Sequence, residues 1–217
     1  MSELDFSTMR AAMVASQLRT NAVSDPRVVA AMEAVAREKF VPDDRRPLAY
    51  IDVAIPLGQG RALSAPLVTG RLIVEAGARA GDKVLLIGAA TGYATALLAE
   101  LGAEVVAVEE SAALFAKAQS NLGGLAGVEL IEGALNEGAA HKAPYDIILI
   151  DGAVEQVPET LWVQLREGGT LATGVVDRGV TRLATGRRVG SGGALVSFVD
   201  IEAAVLPGFA APRGFSF

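Results

Sequence analysis

The chain has 217 residues, 51% of them hydrophobic, and its 19 Lys and Arg against 25 Asp and Glu give a formal net charge of −6. This length allows a single domain with a sizeable core, and the negative charge argues against broad nucleic-acid binding. Because the chain has no cysteine and only one histidine, His141, disulfides and thiol nucleophiles are excluded and no metal site is predicted.

The first predicted elements are two helices. Apolar residues near helical spacing predict a helix over residues 7–20. A second helix is predicted to begin at Asp25 and Pro26, because Asp is a good N-cap and Pro suits the first helical position. Pro42 is predicted to end that helix.

A loop and a third helix follow. Residues 47–62 are rich in Gly and Pro between periodic segments, which is typical of a shaped loop rather than a linker. The third helix is predicted to run from Ser64 to about Ala78. Ser64 is predicted to be its N-cap.

Residues 83–109 predict a β-turn-α-β unit around which the rest of the chain is organised. Residues 84–87 are an apolar run short enough for one buried strand of a parallel sheet. The small residues 88–92 (hereafter the 88–92 turn) break that run, and a helical pattern follows as far as Gly102. A second apolar run ends on Glu109. A right-handed crossover places the turn at the carboxyl end of the first strand, where open α/β sheets bind ligands.

The 88–92 turn predicts a ligand that contains a nucleoside but no pyrophosphate. Its small residues allow close approach to the backbone, and Glu109 is placed to accept hydrogen bonds from two ribose hydroxyls. The dinucleotide fingerprint fails, because Ala90 and Tyr93 stand at its third and sixth positions, and the phosphate loop ending in Gly-Lys-Ser/Thr is absent. S-adenosylmethionine fits this description. The alternative is a tight βα turn with Glu109 merely solvated.

The remaining elements predict a doubly wound sheet. Further strands are predicted at residues 128–131, 146–150 and 170–175, separated by helices at 112–122 and 158–165. After Asp177 the pattern changes to strands near 183–189 and 194–199 around a Gly-rich turn, which indicates a hairpin. A last strand is predicted through residues 201–206, and the aromatic segment after it, with Phe209, Phe215 and Phe217, is expected to pack on the body.

Three groups of residues occur in a recognisable order along the chain. The first comprises Met13-Val14, Gln17-Leu18, Asp25, Arg27-Val28, Ala31-Met32 and residues 37–42. The second comprises Ala49-Tyr50, Asp52, residues 55–58 and residues 63–66. The third comprises residues 143–146, Gln164-Leu165 and Gly168-Gly169. Together they resemble the protein-L-isoaspartate O-methyltransferase family over nearly the whole chain.

The resemblance implies an α/β fold: a doubly wound, Rossmann-like methyltransferase sheet with a C-terminal β-hairpin and an N-terminal helical extension. Residues 1–80 would form the extension on the substrate side, and residues 81–217 the core. The activity implied is methyl transfer from S-adenosyl-L-methionine to the free carboxylate of isoaspartyl residues in damaged proteins or peptides. The cofactor-binding positions carried over are Leu63, Ser64, Gly88, Ala89, Ala90, Gly92, Tyr93, Glu109, Gly133, Ala134 and Leu135.

The chain departs from the family's pattern in five segments that the resemblance places at the site. Leu86 stands where the family has an acid, Ala90 replaces a glycine and Ala62 replaces a threonine. Ala134 replaces the aspartate that would bond the adenine amino group. Asp151-Gly152-Ala153 stands where the family has Thr-Ala-Ala. These changes keep open a divergent member that binds S-adenosylmethionine but methylates another substrate or is non-catalytic. A nicotinamide-dependent oxidoreductase is a more distant alternative.

Methyl transfer to a carboxylate needs little acid–base machinery. The carboxylate is already ionised near pH 7 and can attack the sulfonium methyl without a general base, so the enzyme contributes orientation and exclusion of water. Ser64 and Asp151 are the predicted catalytic residues. Ser64 is predicted to position the substrate, and helix capping is its alternative role. Asp151 could favour the cationic sulfonium or act as a base toward an amine or hydroxyl. Its alternative role is a helix or turn cap.

Location and partners follow from what the sequence lacks. No uninterrupted apolar stretch is long enough for a membrane span, and the acidic start lacks the regions of a signal peptide. We therefore expect a cytoplasmic protein without nucleic-acid or membrane partners. A monomer is the expected state, with a dimer left open.

Overall fold

A computed structural model describes residues 5–211 as a mixed α/β fold around an eight-stranded sheet. The strands of the chain are β1 (Ile55–Gly58), β2 (Arg61–Leu63), β3 (Lys83–Ile87), β4 (Glu104–Glu109), β5 (Val128–Glu132), β6 (Tyr145–Val154), β7 (Leu165–Asp177), β8 (Val180–Val189), β9 (Gly192–Gly193) and β10 (Val196–Asp200). The sheet has the order β10-β8-β7-β6-β3-β4-β5, with β9 paired to β8. The five strands from β7 to β5 in this order pair in parallel, whereas β8 and β10 are antiparallel. The predicted fold class is confirmed.

The α-helices are α1 (Phe6–Met13), α2 (Pro26–Ala34), α3 (Pro66–Ala76), α4 (Tyr93–Glu100), α5 (Ala112–Leu122) and α6 (Glu159–Trp162). As predicted, Asp25 caps α2, and its carboxylate accepts a hydrogen bond from the Arg27 N–H. The prediction that Pro42 ends this helix was wrong, because Val35 is already extended and a 3-10 turn, Arg37–Phe40, follows. Among the helices that residues 5–211 form, none is long and apolar enough to cross a membrane.

The loop before α3 differs from the prediction in two respects. Residues 47–62, predicted to be irregular, contain part of the β1–β2 hairpin. Ser64 does not cap α3: the N-cap is Ala65, which has no side-chain oxygen, and the Ser64 hydroxyl donates instead to the Asp151 carbonyl oxygen at 3.3 Å. A bond across to β6 therefore replaces the local one.

Both faces of the sheet are buried, which explains the nearly continuous apolar runs of its central strands. Val84 and Leu86 face a core shared with the N-terminal helices, while Leu85 and Ile87 face a second core. Leu86, which stands where the family has an acid, is fully buried and packs in the first core. This position therefore contributes to packing.

The segment after β10 crosses back over the sheet without forming the predicted last strand. It has one isolated parallel bridge, between Ala153 and Val205. Leu206 and Phe209 are buried in the second core. Phe209 thus packs on the body as expected, whereas Phe215 and Phe217 lie outside the described residues.

Candidate active site

The 88–92 turn sits where β3 ends, beside the tip of β4. The N–H groups of Gly88 and Ala89 both donate to the Val108 carbonyl oxygen at 3.0 Å, which fixes the turn to the neighbouring strand. Gly88 and Gly92 have φ of +80° and +102°, and Ala90 has φ of +50°. Glycine adopts such values without strain and alanine does not, so Ala90 holds a left-handed conformation at some cost.

Glu109 lies at the end of β4 with its carboxylate completely buried. It accepts two hydrogen bonds from the Arg61 guanidinium, one of them between Nη2 and Oε2 at 2.9 Å. It accepts two more from the backbone N–H groups of Ala90 (2.7 Å) and Ser111 (3.0 Å). A carboxylate has about four acceptor sites, so this one is fully used within the chain.

Ser64 and Asp151, the two predicted catalytic residues, are neighbours. The Ser64 hydroxyl bonds the Asp151 backbone, and the Asp151 carboxylate accepts from the Thr69 hydroxyl on α3 at 3.1 Å. Burial raises the pKa of Asp151 above its ordinary value, although the hydroxyls of Ser64 and Thr69 and the positive charges nearby oppose that rise. Asp151 lies within β6, which continues to Val154, beyond the strand predicted at residues 146–150.

A buried arginine, Arg37, is bonded to the Ser64 backbone. Arg37 is fully buried and donates to the carbonyl oxygens of Ala49 (2.8 Å) and Ser64 (2.7 Å). Its guanidinium carbon lies 4.6 Å from the centre of the Tyr93 ring, a cation–π contact. Burial raises the pKa of Tyr93 to about 12, and it lowers the pKa of Arg37. Arg37 therefore ties the segments around Ala49 and Ser64 to the helix that follows the 88–92 turn.

The 88–92 turn is covered by the segment that follows β10. A Cβ placed on Gly88 would lie 3.0 Å from Leu206 Cδ1 and 3.5 Å from Arg61 Nη2. A Cβ placed on Gly152 would lie 2.7 Å from both the Ala204 carbonyl oxygen and Leu206 Cγ. Leu206 thus occupies the crevice between the carboxyl ends of β3 and β6.

The other predicted cofactor residues lie in different environments. Leu63 is buried in β2, and Leu135 in the second core. The Gly133 N–H donates to the Glu109 carbonyl oxygen at 3.1 Å, which places the segment after β5 beside the tip of β4. Ala134 is exposed. Its methyl group has no hydrogen-bonding atom to offer an adenine.

These contacts limit how the site can hold a nucleoside. The turn and the strand-tip acid have the arrangement that the sequence predicts. In the described conformation, however, Arg61 uses the oxygens of Glu109 and Leu206 covers Gly88. In this conformation neither the Glu109 carboxylate nor the backbone at Gly88 is open to a ligand.

Sequence reasoning did not identify Arg61 or Leu206 as part of the site. Arg61 could have been found from the sequence. It is a cation two residues before the predicted cofactor residue Leu63, and Glu109, an acid at the ligand-binding edge, is a natural partner for it. Leu206 carries no such signal, because its position depends on where the chain returns after β10.

Comparison with known families agrees with the fold. The model of the family described as "Protein-L-isoaspartate(D-aspartate) O-methyltransferase (PCMT)" matches residues 9–197. The protein-L-isoaspartate O-methyltransferase of Methanoculleus marisnigri is 38% identical over 171 residues, which cover 78% of each chain. Protein-L-isoaspartate O-methyltransferase 1 of Rhodopseudomonas palustris is 38% identical over 181 residues, or 82% of this chain and 74% of that one.

Two solved structures share the fold. One, a protein-L-isoaspartate O-methyltransferase, has a TM-score of 0.80 and 22% identity, and covers 94% of this chain and 66% of the other. The second, a Plasmodium falciparum protein described as a member of the same enzyme class in complex with S-adenosyl-L-homocysteine, has a TM-score of 0.77 and 16% identity, with coverage of 94% and 99%. At these identities the likeness concerns the fold alone.

Proposed function

The chain belongs to the protein-L-isoaspartate O-methyltransferase family, and we propose that it transfers the methyl group of S-adenosyl-L-methionine to the free carboxylate of isoaspartyl residues in damaged proteins. The observation that carries this proposal is the match over residues 9–197, which takes in the N-terminal helices and residues 63–66 as well as the sheet. A methyltransferase sheet alone would not account for that N-terminal match. S-adenosyl-L-methionine supplies an electrophilic methyl on its sulfonium centre.

The reaction class suits a site without histidine or cysteine. An isoaspartyl carboxylate is ionised near pH 7, so the protein has to align it and exclude water rather than remove a proton. Ser64 is the proposed positioning group, because its hydroxyl bonds the backbone of Asp151, the residue before Gly152. The buried setting of Asp151 supports a role in shaping the charge of the site.

For the cofactor we propose the crevice lined by the 88–92 turn, Glu109 and residues 133–135. The strand-turn-helix order supports this placement, since ligands of open α/β sheets bind where the strand order reverses. Here β3 and β6 are the strands on either side of that reversal. Both Arg61 and Leu206 have to leave the crevice before a ribose can reach Glu109.

We also propose one domain, with residues 1–80 on the substrate side of a core formed by residues 81–217. We further propose that the protein is a cytoplasmic monomer that binds neither nucleic acid nor membranes. The net charge of −6 supports the part concerning nucleic acid. Light scattering on the purified protein would distinguish a monomer from a dimer.

The activity is tested with radiolabelled S-adenosylmethionine and one peptide made in isoaspartyl and aspartyl forms. We expect label on the isoaspartyl form alone. Equal labelling of the two forms, or none, with cofactor binding demonstrated separately, would contradict the repair activity. That outcome would favour the second candidate, a divergent member with another substrate or no turnover. The observation that favours this second candidate is the buried ion pair between Arg61 and Glu109, which occupies the carboxylate proposed to bind the ribose.

A further inference from the structure

We propose that residues 203–209 (hereafter the plug) form an autoinhibitory element that holds the cofactor crevice closed, so that the nucleoside binds only after the plug has left. This inference rests on the proposed function, because it concerns the same cofactor site. It goes further in assigning a role to a segment that lies beyond the family match, which ends at residue 197.

The plug is bonded to β6 by its backbone. The Ala153 N–H donates to the Ala204 carbonyl oxygen at 2.7 Å, and the Leu206 N–H donates to the Ala153 carbonyl oxygen at 2.8 Å. These bonds place the plug along the last residues of β6, past the point where β3 has ended. The plug therefore takes a strand-like position over the crevice at which the sheet reverses its order.

The apolar side chains of the plug complete a buried surface. Leu206 and Phe209 are 4% and 2% exposed and belong to the second core, whereas Val205 between the two bonded residues is 52% exposed. Leu206 reaches across to the Gly88 turn. Burial of these side chains stabilises the closed arrangement, so a ligand has to displace apolar contacts as well as two hydrogen bonds.

Gly152 is the position that admits the plug. The space where its Cβ would lie is filled by the Ala204 carbonyl oxygen and Leu206 Cγ, each 2.7 Å away. Real Cβ atoms essentially never come that close to other atoms, so a side chain at this position opposes the seated position of the plug. Gly152 has no positive φ, so its backbone does not itself require glycine. The contact with the plug is thus the reason we find for glycine here.

Arg61 closes the same crevice from the other side. Its guanidinium lies on Glu109 and within 3.5 Å of the Cβ position of Gly88. The plug and Arg61 therefore meet over the 88–92 turn. If the crevice is open only a fraction of the time, the apparent affinity for a ligand falls by that fraction.

The test is calorimetric titration of S-adenosylhomocysteine into the 217-residue protein and its Gly152→Ala variant. Because the added methyl group clashes with the seated plug, we expect the variant to bind about tenfold more tightly. Gly192→Ala is the matched control, since Gly192 also lacks a positive φ and has open space at its Cβ position. The control should bind like the parent. Equal affinity in all three folded proteins, or no binding in any of them, would overturn the plug.

A second pair of variants covers the case in which Gly152→Ala does not fold. Leu206→Ala removes the side chain that covers Gly88, whereas Val205→Ala changes the exposed neighbour. We expect tighter binding from the first alone. Identical affinities would contradict the proposal.

Hydrogen exchange gives a readout that does not depend on these substitutions. In the unsubstituted protein, saturation with S-adenosylhomocysteine should deprotect the Leu206 amide, which loses its acceptor on Ala153. Protection unchanged at saturation would mean that the ligand binds with the plug in place.

The two proposals can fail separately. Tighter binding by Gly152→Ala without methylation of an isoaspartyl peptide would support the plug proposal and contradict the proposed repair activity. Methylation of the peptide by the parent protein, with unchanged affinity in Gly152→Ala, would support the proposed activity and contradict the plug proposal.

Discussion

Arg61 and Glu109 form a two-point ion pair that is almost wholly shielded from water, with side chains 4% and 0% exposed. The pair joins the short β2 strand to the tip of β4, 48 residues apart in sequence. A buried pair of this kind is costly to break, because the remaining partner is left as an uncompensated charge. The pair therefore affects both the stability of the fold and access to the site.

The first prediction concerns stability. Arg61→Ala and Glu109→Ala should each lower the free energy of unfolding by roughly 3–5 kcal/mol, since each leaves the other charge buried without its partner. The double variant should lose much less than the sum of the two. Urea unfolding of the four proteins measures the coupling. Additive losses would mean that the two side chains act independently.

The exposed pair Arg46–Asp43 is the control for that cycle. Its side chains are 48% and 88% exposed, and exposed pairs contribute little. Asp43→Ala should change the free energy of unfolding by less than about 0.5 kcal/mol.

The second prediction concerns access to Glu109. Arg61→Gln removes the positive charge and one of the two donors from its carboxylate, which frees an oxygen for a ribose hydroxyl. We expect S-adenosylhomocysteine to bind more tightly by roughly 1 kcal/mol, the net value of one hydrogen bond. Calorimetry provides the measurement.

Glu109→Ala is the companion variant. If Glu109 holds the ribose, its removal should weaken binding by roughly 1–3 kcal/mol. Unchanged affinity in a folded Glu109→Ala protein would place the ribose elsewhere, and the interpretation of Arg61 as a competitor would then be wrong.

The third prediction concerns the adenine contact. Ala134 is exposed and follows Gly133, whose N–H bonds Glu109. The resemblance to the family implies an aspartate at this position. Ala134→Asp should tighten cofactor binding by roughly 1 kcal/mol by restoring an acceptor for the adenine amino group. Weaker or equal binding would indicate that the chain contacts the adenine in another way.

The fourth prediction concerns pH. Burial raises the pKa of Asp151, so the folded state holds its proton more tightly than the unfolded chain does. Stability from the protonated form is therefore present at low pH and is lost as pH rises from the unfolded pKa, about 3.9, through the folded value. Asp151→Asn mimics the protonated form and should be more stable than the parent at pH 7.

The gap between the two proteins should close as the pH falls below the ordinary Asp range, which urea unfolding at several pH values measures. Each unit by which the pKa is raised corresponds to about 1.4 kcal/mol at neutral pH. A parent more stable than Asp151→Asn at pH 7 would mean that Arg37 and Arg61 outweigh the cost of burying the carboxylate.

Local pattern in the sequence determined the elements of the core. The apolar runs that became β3 and β4, the small residues of the 88–92 turn and the Asp25–Pro26 helix start are short-range signals, because strand burial, turn geometry and capping each depend on adjacent residues. The order of these elements was enough for the doubly wound sheet. Glu109 at a strand tip followed from the same pattern.

Only the tertiary structure decided what each site residue contacts. Ser64 is a residue type that favours the N-cap and is followed two residues later by Pro66, yet its hydroxyl bonds β6, 87 residues away. Glu109 could be placed at the ligand-binding edge, but its partner is a strand of the N-terminal extension. Leu206 covers Gly88 because the chain turns back after β10, and Gly152 makes room for it. Such contacts join residues far apart in sequence, and the competition among their possible partners is settled only when the whole fold brings them together.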